Sequence, residues 1–380
     1  MKILSVLPGA ALILVVFWEA FETIVLPRRV TRRVRLTRLF YRSTWRFWSG
    51  FVHSLISGKR QETYLSFYGP LSLLLLLIFW ASGLVIGFAL IHWASGSSIN
   101  TPRGTAGFST YLYLSGTTFF TLGLGDVAPN TPFGRGLIAF EAGVGFGFLA
   151  LVIGYLPALN QSFSRREVNI SLLDARSGSP PTATEMLRRH SHDHGMEALQ
   201  QLLHEWERWS AEFLETHLSY PVLAYFRSQH DNQYWLASLT TILDTCALVI
   251  VGLEGACQRQ AELTFAMARH VVVDLSTVFN SPPCEPEHDR LSPAALTFLR
   301  ATLTEAGLRL REGSEADRKL YDLRQMYEPY AYSLSNYFCV TVPPWVSKVT
   351  PADNWQMSAW GRNSSLKKVS QSGVVEDQHF

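Results

Sequence analysis

A short strip with alternating glycines carries the clearest chemistry in this sequence. Residues 121–126 read Thr-Leu-Gly-Leu-Gly-Asp. Gly123 and Gly125 can adopt a positive φ without steric cost, so the peptide units from 121 to 124 could aim their carbonyl oxygens to one side. Four such strips around an axis would stack rings of oxygens that replace the hydration shell of a monovalent cation, with the Thr121 hydroxyl adding a lower ring. Leu122 and Leu124 would then point outward.

The residues before this strip are suited to positioning it. About twelve residues from Phe108 fit a short helix, whose negative C-terminal end would also favour a cation. Irregular backbone at membrane depth is tolerated only when it is packed in protein or lines water. The strip is therefore expected to line water inside a re-entrant loop.

Three apolar segments are long enough to cross a bilayer of ~30 Å. They are Ile3–Leu26, Leu71–Trp93 and Phe133–Leu159. No Asp, Glu, Lys or Arg occurs between Thr63 and Pro102, which excludes a purely cytosolic enzyme. The first segment could instead be a signal peptide, although no small-residue cleavage site precedes Glu19 convincingly.

Charge orients these segments, because basic short loops stay on the cytoplasmic side. Residues 1–160 hold 13 Lys and Arg against 5 Asp and Glu, whereas residues 161–380 hold 20 against 26. The loop between the first two spans is rich in arginine, which places the N-terminus outside and everything after Asn160 in the cytosol. The four cysteines all lie in that second half and lack metal-site spacing, which agrees with reduced thiols.

The arginines from 28 to 46 predict a lipid contact. On a helix, Leu36, Phe40, Phe47, Phe51 and Leu55 share one side and several arginines share another. This pattern favours an interfacial helix on the inner leaflet whose arginines attract anionic headgroups. The every-third-residue spacing from Arg29 to Arg38 leaves a voltage sensor as the alternative, but no further apolar span is available to carry one.

The strip resembles the signature of the potassium-channel pore family, Thr-Val-Gly-Tyr-Gly-Asp. The match runs from Thr121 to Asp126, with the preceding threonine at Thr118, and continues through Pro129, Gly134 and Arg135. The resemblance covers roughly residues 68–160. It implies an outer helix, a pore loop and an inner helix, with K+ held transiently in the filter and no other cofactor or metal. Because the chain has one pore loop, it also implies a homotetramer.

The same resemblance implies a role for residues around the strip. Thr118, Thr117 and Tyr113 would support the filter, Asp126 would cap its outer mouth, and Gly145 with Gly143 would form a gating hinge in the inner helix. Close helix packing is the alternative for these two glycines.

Two departures from the family pattern leave alternatives open. Leu124 replaces the usual filter tyrosine, and Tyr113 with Leu114 replaces a pair of tryptophans that brace the filter. A more deformable filter would follow, so a weakly selective cation channel is one alternative. A non-conducting membrane sensor or interaction protein is another. No convergent nucleophile, acid–base pair or phosphate loop indicates an enzyme.

Isolated carboxylates in apolar helices must face water or a partner. Glu141, within the third span, is therefore expected to line the ion cavity, with a hydrogen bond to Arg135 or to a neighbouring helix as the alternative. Glu19 and Glu22 are expected to pair with the arginines after Pro27 rather than to sense protons.

The second half is helical by its i, i+3, i+4 apolar spacing. Predicted helices span Glu197–Leu218, Asn232–Leu253, Cys257–Val278, Pro293–Arg311 and Ala316–Tyr337, with breaks at 177–181, 281–284 and Gly313. Val168–Ala175 could form one short strand. Trp235–Leu253 suits a buried bundle helix, with a fourth span as the alternative. His190, His192 and His194 are more typical of a solvated loop than of a metal site, and no nucleotide-binding motif or nucleic-acid partner is indicated.

The sequence thus predicts an all-α protein, with membrane-spanning helices, a re-entrant pore loop and a mostly helical cytosolic domain. Its expected parts are an N-terminal helix with a basic interfacial helix (1–66), a pore domain (67–160), a cytosolic domain (161–345) and a disordered tail (346–380). Within the pore domain the outer helix spans 71–93, the pore helix and filter 108–126, and the inner helix 133–159. The expected function is a tetrameric potassium channel of the plasma membrane, modulated through an unidentified cytosolic regulator.

Overall fold

The computed structural model describes residues 5–26, 35–96, 99–100, 106–228 and 233–347, with the Lys59 side chain left out. Helices dominate this part of the chain, which confirms the all-α prediction. They are α1 (Val6–Ala20, continued by a π-helical turn at Phe21–Val25), α2 (Leu36–Leu55), α3 (Lys59–Ser66), α4 (Tyr68–Ala94), α5 (Phe108–Phe119), α6 (Pro132–Ser177), α7 (Ala183–Arg189), α8 (Gly195–Ser219), α9 (Trp235–Gly252), α10 (Gln258–Phe279), α11 (Pro293–Glu305), α12 (Ser314–Gln325) and α13 (Glu328–Phe338).

The chain divides into two compact units, Met1–Gln161 and Ser162–Phe380. In the first unit α1 packs along α4. Their backbones approach closely at two glycines: a Cβ on Gly9 would lie 2.8 Å from the Gly87 carbonyl oxygen, and one on Gly87 would lie 2.6 Å from Ile13. Small residues at such crossings let membrane helices pack by van der Waals contact.

The segments predicted as outer, pore and inner helices correspond to α4, α5 and the first part of α6. α5 packs on α4, and two short antiparallel strands, β1 (Ile99–Asn100) and β2 (Ala128–Pro129), pair on either side of it. α6 continues without a break to Ser177. The strand considered for Val168–Ala175 was therefore wrong, because Ile170, Leu173 and Ser177 continue a buried face at helical spacing.

The segment predicted to form an interfacial helix is helical and forms α2. Its N-terminus is capped by Glu19 of α1, whose carboxylate accepts hydrogen bonds from the backbone N–H groups of Leu36 (3.1 Å) and Thr37 (3.0 Å). Glu22 lies 3.5 Å from Arg35, as expected for a pairing with the arginine segment, although Arg28, Arg29, Arg32 and Arg33 fall outside the described residues. Part of the apolar side of α2, including Phe47 and Leu55, is exposed in the single chain.

The second unit is a bundle built around α9. Four helical stretches of the described residues are long and apolar enough to cross a membrane by length and composition, and α9 is one of them. Its apolar window is 94% buried inside the protein, with α10 and α12 packed against it. This enclosure agrees with the interpretation of α9 as a buried bundle helix.

Two boundaries in the second unit differ from the sequence prediction. The helix expected over Ala316–Tyr337 is split into α12 and α13, because Pro329 occupies the first turn of α13 and lacks the N–H that a continuous helix would need. The helix expected to reach Arg311 ends at Glu305, followed by Gly307 with φ +80°. Only 346 and 347 of the predicted tail are described; the rest lies outside the described residues.

A buried charge network joins the helices of the second unit. Arg290 donates to Asp244 (2.6 Å) and to Glu328 (2.8 Å), and Arg324 also donates to Glu328 (3.0 Å). The indole N–H of Trp345 donates to Glu328 at 3.2 Å. Asp244 and Glu328, the two buried carboxylates of this network, therefore each have a guanidinium partner. Such pairing is the condition under which buried charge is tolerated.

Candidate functional site

The strip at 121–126 directly follows the C-terminus of α5. All six of its residues are exposed in the single chain, and they lie between the C-terminal end of a helix dipole and the start of α6. Such an end carries about half a negative charge. The local field therefore favours a cation next to the strip.

Positive φ angles alternate along the strip. Thr121 has φ 58°, Gly123 has φ 51° and Gly125 has φ 77°. The expected left-handed conformation of the two glycines is thus what the structure contains. Thr121 adopts it as well, which is unusual for a β-branched residue. An observed backbone outlier of this kind points to a functional constraint.

The first three N–H groups of the strip donate hydrogen bonds to carbonyl groups of the pore helix. Those of Leu122 and Gly123 donate to the Thr117 carbonyl at 2.8 and 3.3 Å, and that of Thr121 donates to the Thr118 carbonyl at 2.9 Å. No described residue donates a backbone hydrogen bond to the carbonyls of 121–125. Thr117 and Thr118 thus contact the strip through their main chain, and the strip keeps its carbonyl oxygens available for another partner.

A side-chain bond connects the two ends of the loop. The Tyr113 hydroxyl donates to Asp126 Oδ2 at 3.0 Å. The sequence suggested a poorly braced filter because Leu124 has no hydroxyl group and the tryptophan pair is missing. The structure instead contains a different tether, which starts from the pore helix at Tyr113.

Gly145 brings the backbone of α6 close to the last residue of the pore helix. A Cβ at this position would lie 1.9 Å from the Phe119 carbonyl oxygen, so no larger residue fits without movement of the backbone. An added Cβ at Gly143 would meet nothing within 4 Å in the single chain. Close packing, the alternative reading for these glycines, therefore applies to Gly145.

Glu141 does not line an open cavity, which corrects the sequence expectation. It is fully buried, contacts the Ser115 hydroxyl of α5 and lies 3.3 Å from His92 Nε2 of α4. The alternative partner Arg135 instead donates to the Pro129 carbonyl. A buried carboxyl group in an apolar helix is stabilised by such polar neighbours, so the neighbouring-helix alternative is the one observed.

Comparison with known proteins bears on this same segment. Residues 73–161 match the ion-channel family model. The match spans α6 to the end of the first unit, most of α4, and all of the pore loop. It confirms the resemblance to the pore-loop family for this part of the chain, which is under a quarter of its length. The ion-channel segment is thus an outer helix, a pore loop and an inner helix.

One curated relative is similar over a comparable length. The chain is 33% identical over 123 residues to the "Uncharacterized membrane protein YdjJ" of Bacillus subtilis (strain 168), an alignment that covers 31% of this chain and 36% of the relative. The chain therefore spans about a third of the length of that relative. No solved structure matches the chain.

Sequence reasoning missed His92 and Ser115 as partners of Glu141. A signal was available, because His92 is an ionisable side chain in an otherwise uncharged apolar span, and such residues mark functional or paired positions.

In the second unit, His190 Nδ1 bonds to the Met186 carbonyl at 2.7 Å. Within the described ranges, no group of three or more potential metal ligands comes together.

Proposed function

We propose that this protein is a homotetrameric, potassium-permeable channel of the plasma membrane. Four copies of the strip Thr121–Asp126 surround the ion path, and carbonyl oxygens of residues 121–124 replace water around a dehydrated K+. The N-terminus lies outside, and the second unit lies in the cytosol.

The observation that carries this proposal is the alternation of positive φ at Thr121, Gly123 and Gly125, together with the bonding of the first three N–H groups of the strip to the pore helix. In this first half of the strip the amides already have acceptors, so the carbonyl oxygens are the backbone groups left to bind a ligand. Oxygen ligands in a negative local field favour a cation over an anion.

Exposed apolar groups in the pore segment support the tetramer. Leu122 and Leu124 of the pore loop are 63% and 64% exposed in one chain. Phe140 and Phe146 of α6 are also exposed. Neighbouring copies would cover these side chains and close the ring that coordination requires.

Gating would involve the inner helix α6. Because Gly145 contacts the Phe119 carbonyl so closely, the helix has a fixed point immediately beneath the filter. Movement of α6 below this point, including the part around Pro157, would open or close the path without displacing the pore helix. The cytosolic unit, which begins at Ser162 of the same helix, would bias this movement when its regulator binds.

The arginines between 28 and 46 would bind anionic headgroups. Phe47, Phe51 and Leu55 of α2 are exposed and supply the apolar contact that an interfacial helix needs. Positive charge in this segment also supports a cytoplasmic location for the loop after the first span.

Potassium flux into liposomes tests the proposal. Gly123→Ala and Gly125→Ala should abolish flux, since alanine disfavours the left-handed conformation by about 1–2 kcal/mol per residue. Gly136→Ala is the matched control, because this helical glycine has open space around an added Cβ. Wild-type flux in both filter variants would overturn the carbonyl mechanism. No flux from the wild-type protein would favour a non-conducting sensor.

Weak selectivity remains a second candidate because Leu124 lacks the hydroxyl group that the family tyrosine provides. Reversal potentials under bi-ionic K+ and Na+ conditions separate the two. A large K+ preference supports the potassium channel, and a ratio near one supports a weakly selective cation channel.

A further inference from the structure

Three buried polar side chains join the three helices of the pore segment behind the filter. Glu141 of α6, Ser115 of α5 and His92 of α4 are all fully buried. Glu141 Oε1 contacts Ser115 Oγ, and Glu141 Oε2 lies 3.3 Å from His92 Nε2. The cluster therefore bonds each helix to another without any exposed group.

The count of hydrogens indicates where a proton resides. Ser115 Oγ lies 2.8 Å from the Val85 carbonyl oxygen as well as next to Glu141, yet a hydroxyl group has one hydrogen to donate. The Val85 oxygen can only accept. Both contacts are hydrogen bonds only if Glu141 carries a proton and donates it to Ser115, which then donates to Val85.

The histidine supports the same assignment. A neutral His92 with its hydrogen on Nε2 can donate to Glu141 Oε2, and its Nδ1, which has no hydrogen-bond partner among the described residues, then holds only a lone pair. A charged His92 would place an N–H donor at that unpartnered nitrogen. An ionised Glu141 beside a neutral His92 would leave a buried net charge, which is strongly unfavourable in an apolar setting.

This chain of bonds reaches the filter through a short stretch of helix. Ser115 lies less than one turn before Thr117 and Thr118, whose carbonyls accept the N–H groups of Thr121–Gly123. Anchoring α5 at Ser115 therefore also fixes the position of the Thr117 and Thr118 carbonyl groups that hold the strip.

We propose that Glu141 is a positioning residue: as a protonated carboxylic acid it donates to Ser115, accepts from His92, and so holds the pore helix at the depth that the filter requires. This inference rests on the proposed ion-conducting function for its effect on permeation. Its structural part, the placement of α5 by a neutral hydrogen-bond chain, is independent of that function.

Conservative and disruptive variants separate this role from a charged one. Glu141→Gln keeps a donor for Ser115 and an acceptor for His92, so it should match the wild type. Glu141→Ala and Ser115→Ala should loosen the pore helix. Ser109→Ala, at an exposed position near the start of the same helix, is the matched control.

The measurement is hydrogen–deuterium exchange of peptides covering 115–126 in the full chain, purified in detergent. We expect at least tenfold faster exchange in Ser115→Ala and Glu141→Ala and no change in Glu141→Gln or Ser109→Ala. Infrared difference spectra of wild type against Glu141→Gln should contain a protonated carboxyl band at neutral pH. In liposomes, Ser115→Ala should lower the K+ to Na+ permeability ratio.

Distinct results would overturn the inference. Exchange in Glu141→Gln as fast as in Glu141→Ala would mean that a neutral donor at this position is not sufficient. A carboxylate band for Glu141 in the infrared difference spectrum would mean that the side chain is ionised. Wild-type exchange and permeability in Ser115→Ala would mean that the chain does not position the filter. If the wild type passes no K+, the proposed function fails, whereas exchange and infrared spectra still decide the placement of α5. Should Glu141→Ala not fold, Ser115→Ala and Glu141→Gln carry the test.

Discussion

The Tyr113 hydroxyl and the Asp126 carboxylate, thirteen residues apart, meet at 3.0 Å. Their bond ties the first half of the pore helix to the last residue of the glycine-alternating strip. Because the backbone N–H groups of Thr121–Gly123 are fixed to the same helix, both the beginning and the end of the strip are held by α5.

Tyr113→Phe removes the hydrogen bond to Asp126 and leaves the backbone hydrogen bonds of the strip in place. Loss of this hydrogen bond releases the last residue of the strip from the pore helix, and the solvent exposure of both side chains keeps the effect on overall stability small. We expect conduction to persist with a lower K+ to Na+ permeability ratio, measured from bi-ionic reversal potentials. Tyr113→Trp supplies an N–H donor and should restore part of the ratio. An unchanged ratio in Tyr113→Phe would show that Asp126 is held by other contacts.

Gly145→Ala should be far more damaging than Gly143→Ala. The added methyl group at 145 would overlap the Phe119 carbonyl oxygen, whereas the one at 143 meets open space. Overpacking of this kind costs about 1–3 kcal/mol or more. We expect a lower melting temperature and loss of flux for Gly145→Ala and near-normal values for Gly143→Ala. Equal tolerance of the two substitutions would contradict the close contact.

Glu19→Ala should loosen the start of α2. The carboxylate accepts from two backbone N–H groups and from the Thr37 hydroxyl at 2.8 Å, and loss of a helix cap costs about 0.5–2 kcal/mol. Hydrogen exchange of the amides of Leu36 and Thr37 should accelerate, while that of residues near Val52 should not change. Glu62→Ala, at an exposed position in α3, is the control, and equal exchange in both variants would argue against capping.

Asp244 should give the second unit a defined pH dependence. Burial raises the pKa of this carboxyl to about 6, although the Arg290 guanidinium and the Tyr327 hydroxyl act in the opposite direction. The unfolded chain has an Asp pKa of about 4, so the folded state binds the proton more tightly. Stability from this group is therefore greatest below pH 4, falls by roughly 3 kcal/mol as the pH rises to about 6, and is constant above that.

Asp244→Asn removes this titration. Melting of the full chain in detergent, followed by tryptophan fluorescence between about pH 4 and pH 7, should depend less on pH in the variant than in the wild type. Asp193→Asn, in an exposed turn, should retain the wild-type profile. The same slope in Asp244→Asn as in wild type would assign the pH dependence to other groups.

Helical periodicity in the sequence located most elements of this fold. α8, α9 and α10 begin and end within three residues of their predicted bounds, since their apolar spacing is regular and turn residues flank them. Pro329 was one missed boundary, because the apolar spacing on either side of it is in phase for one continuous helix; the end of α11 before Gly307 was the other. The strand at 168–175 was misassigned because Val168, Ile170 and Leu172 alternate, whereas burial at Ile170 and Leu173 follows the helix.

The candidate site was predictable where it depends on backbone conformation and not where it depends on contacts between helices. Glycine spacing alone located the positive-φ residues Gly123 and Gly125. The placement of Glu141 depends on how three helices are rotated against one another, and one span of sequence contains no information on that rotation. A lone carboxylate was therefore assigned to water when its partners were Ser115 and His92.

Trp345 limits how far the polypeptide can be shortened from its C-terminal side. Its indole is buried to 1% exposure, its ring lies beneath Arg290 and Arg324, and its carbonyl accepts from the Thr184 hydroxyl at 2.8 Å. A chain that ends after Ser347 retains the buried Trp345 side chain. A chain that ends after Val342 lacks it, and the interior of the bundle is then open to solvent. Affinity tags and fluorescent fusions are therefore best attached beyond Ser347.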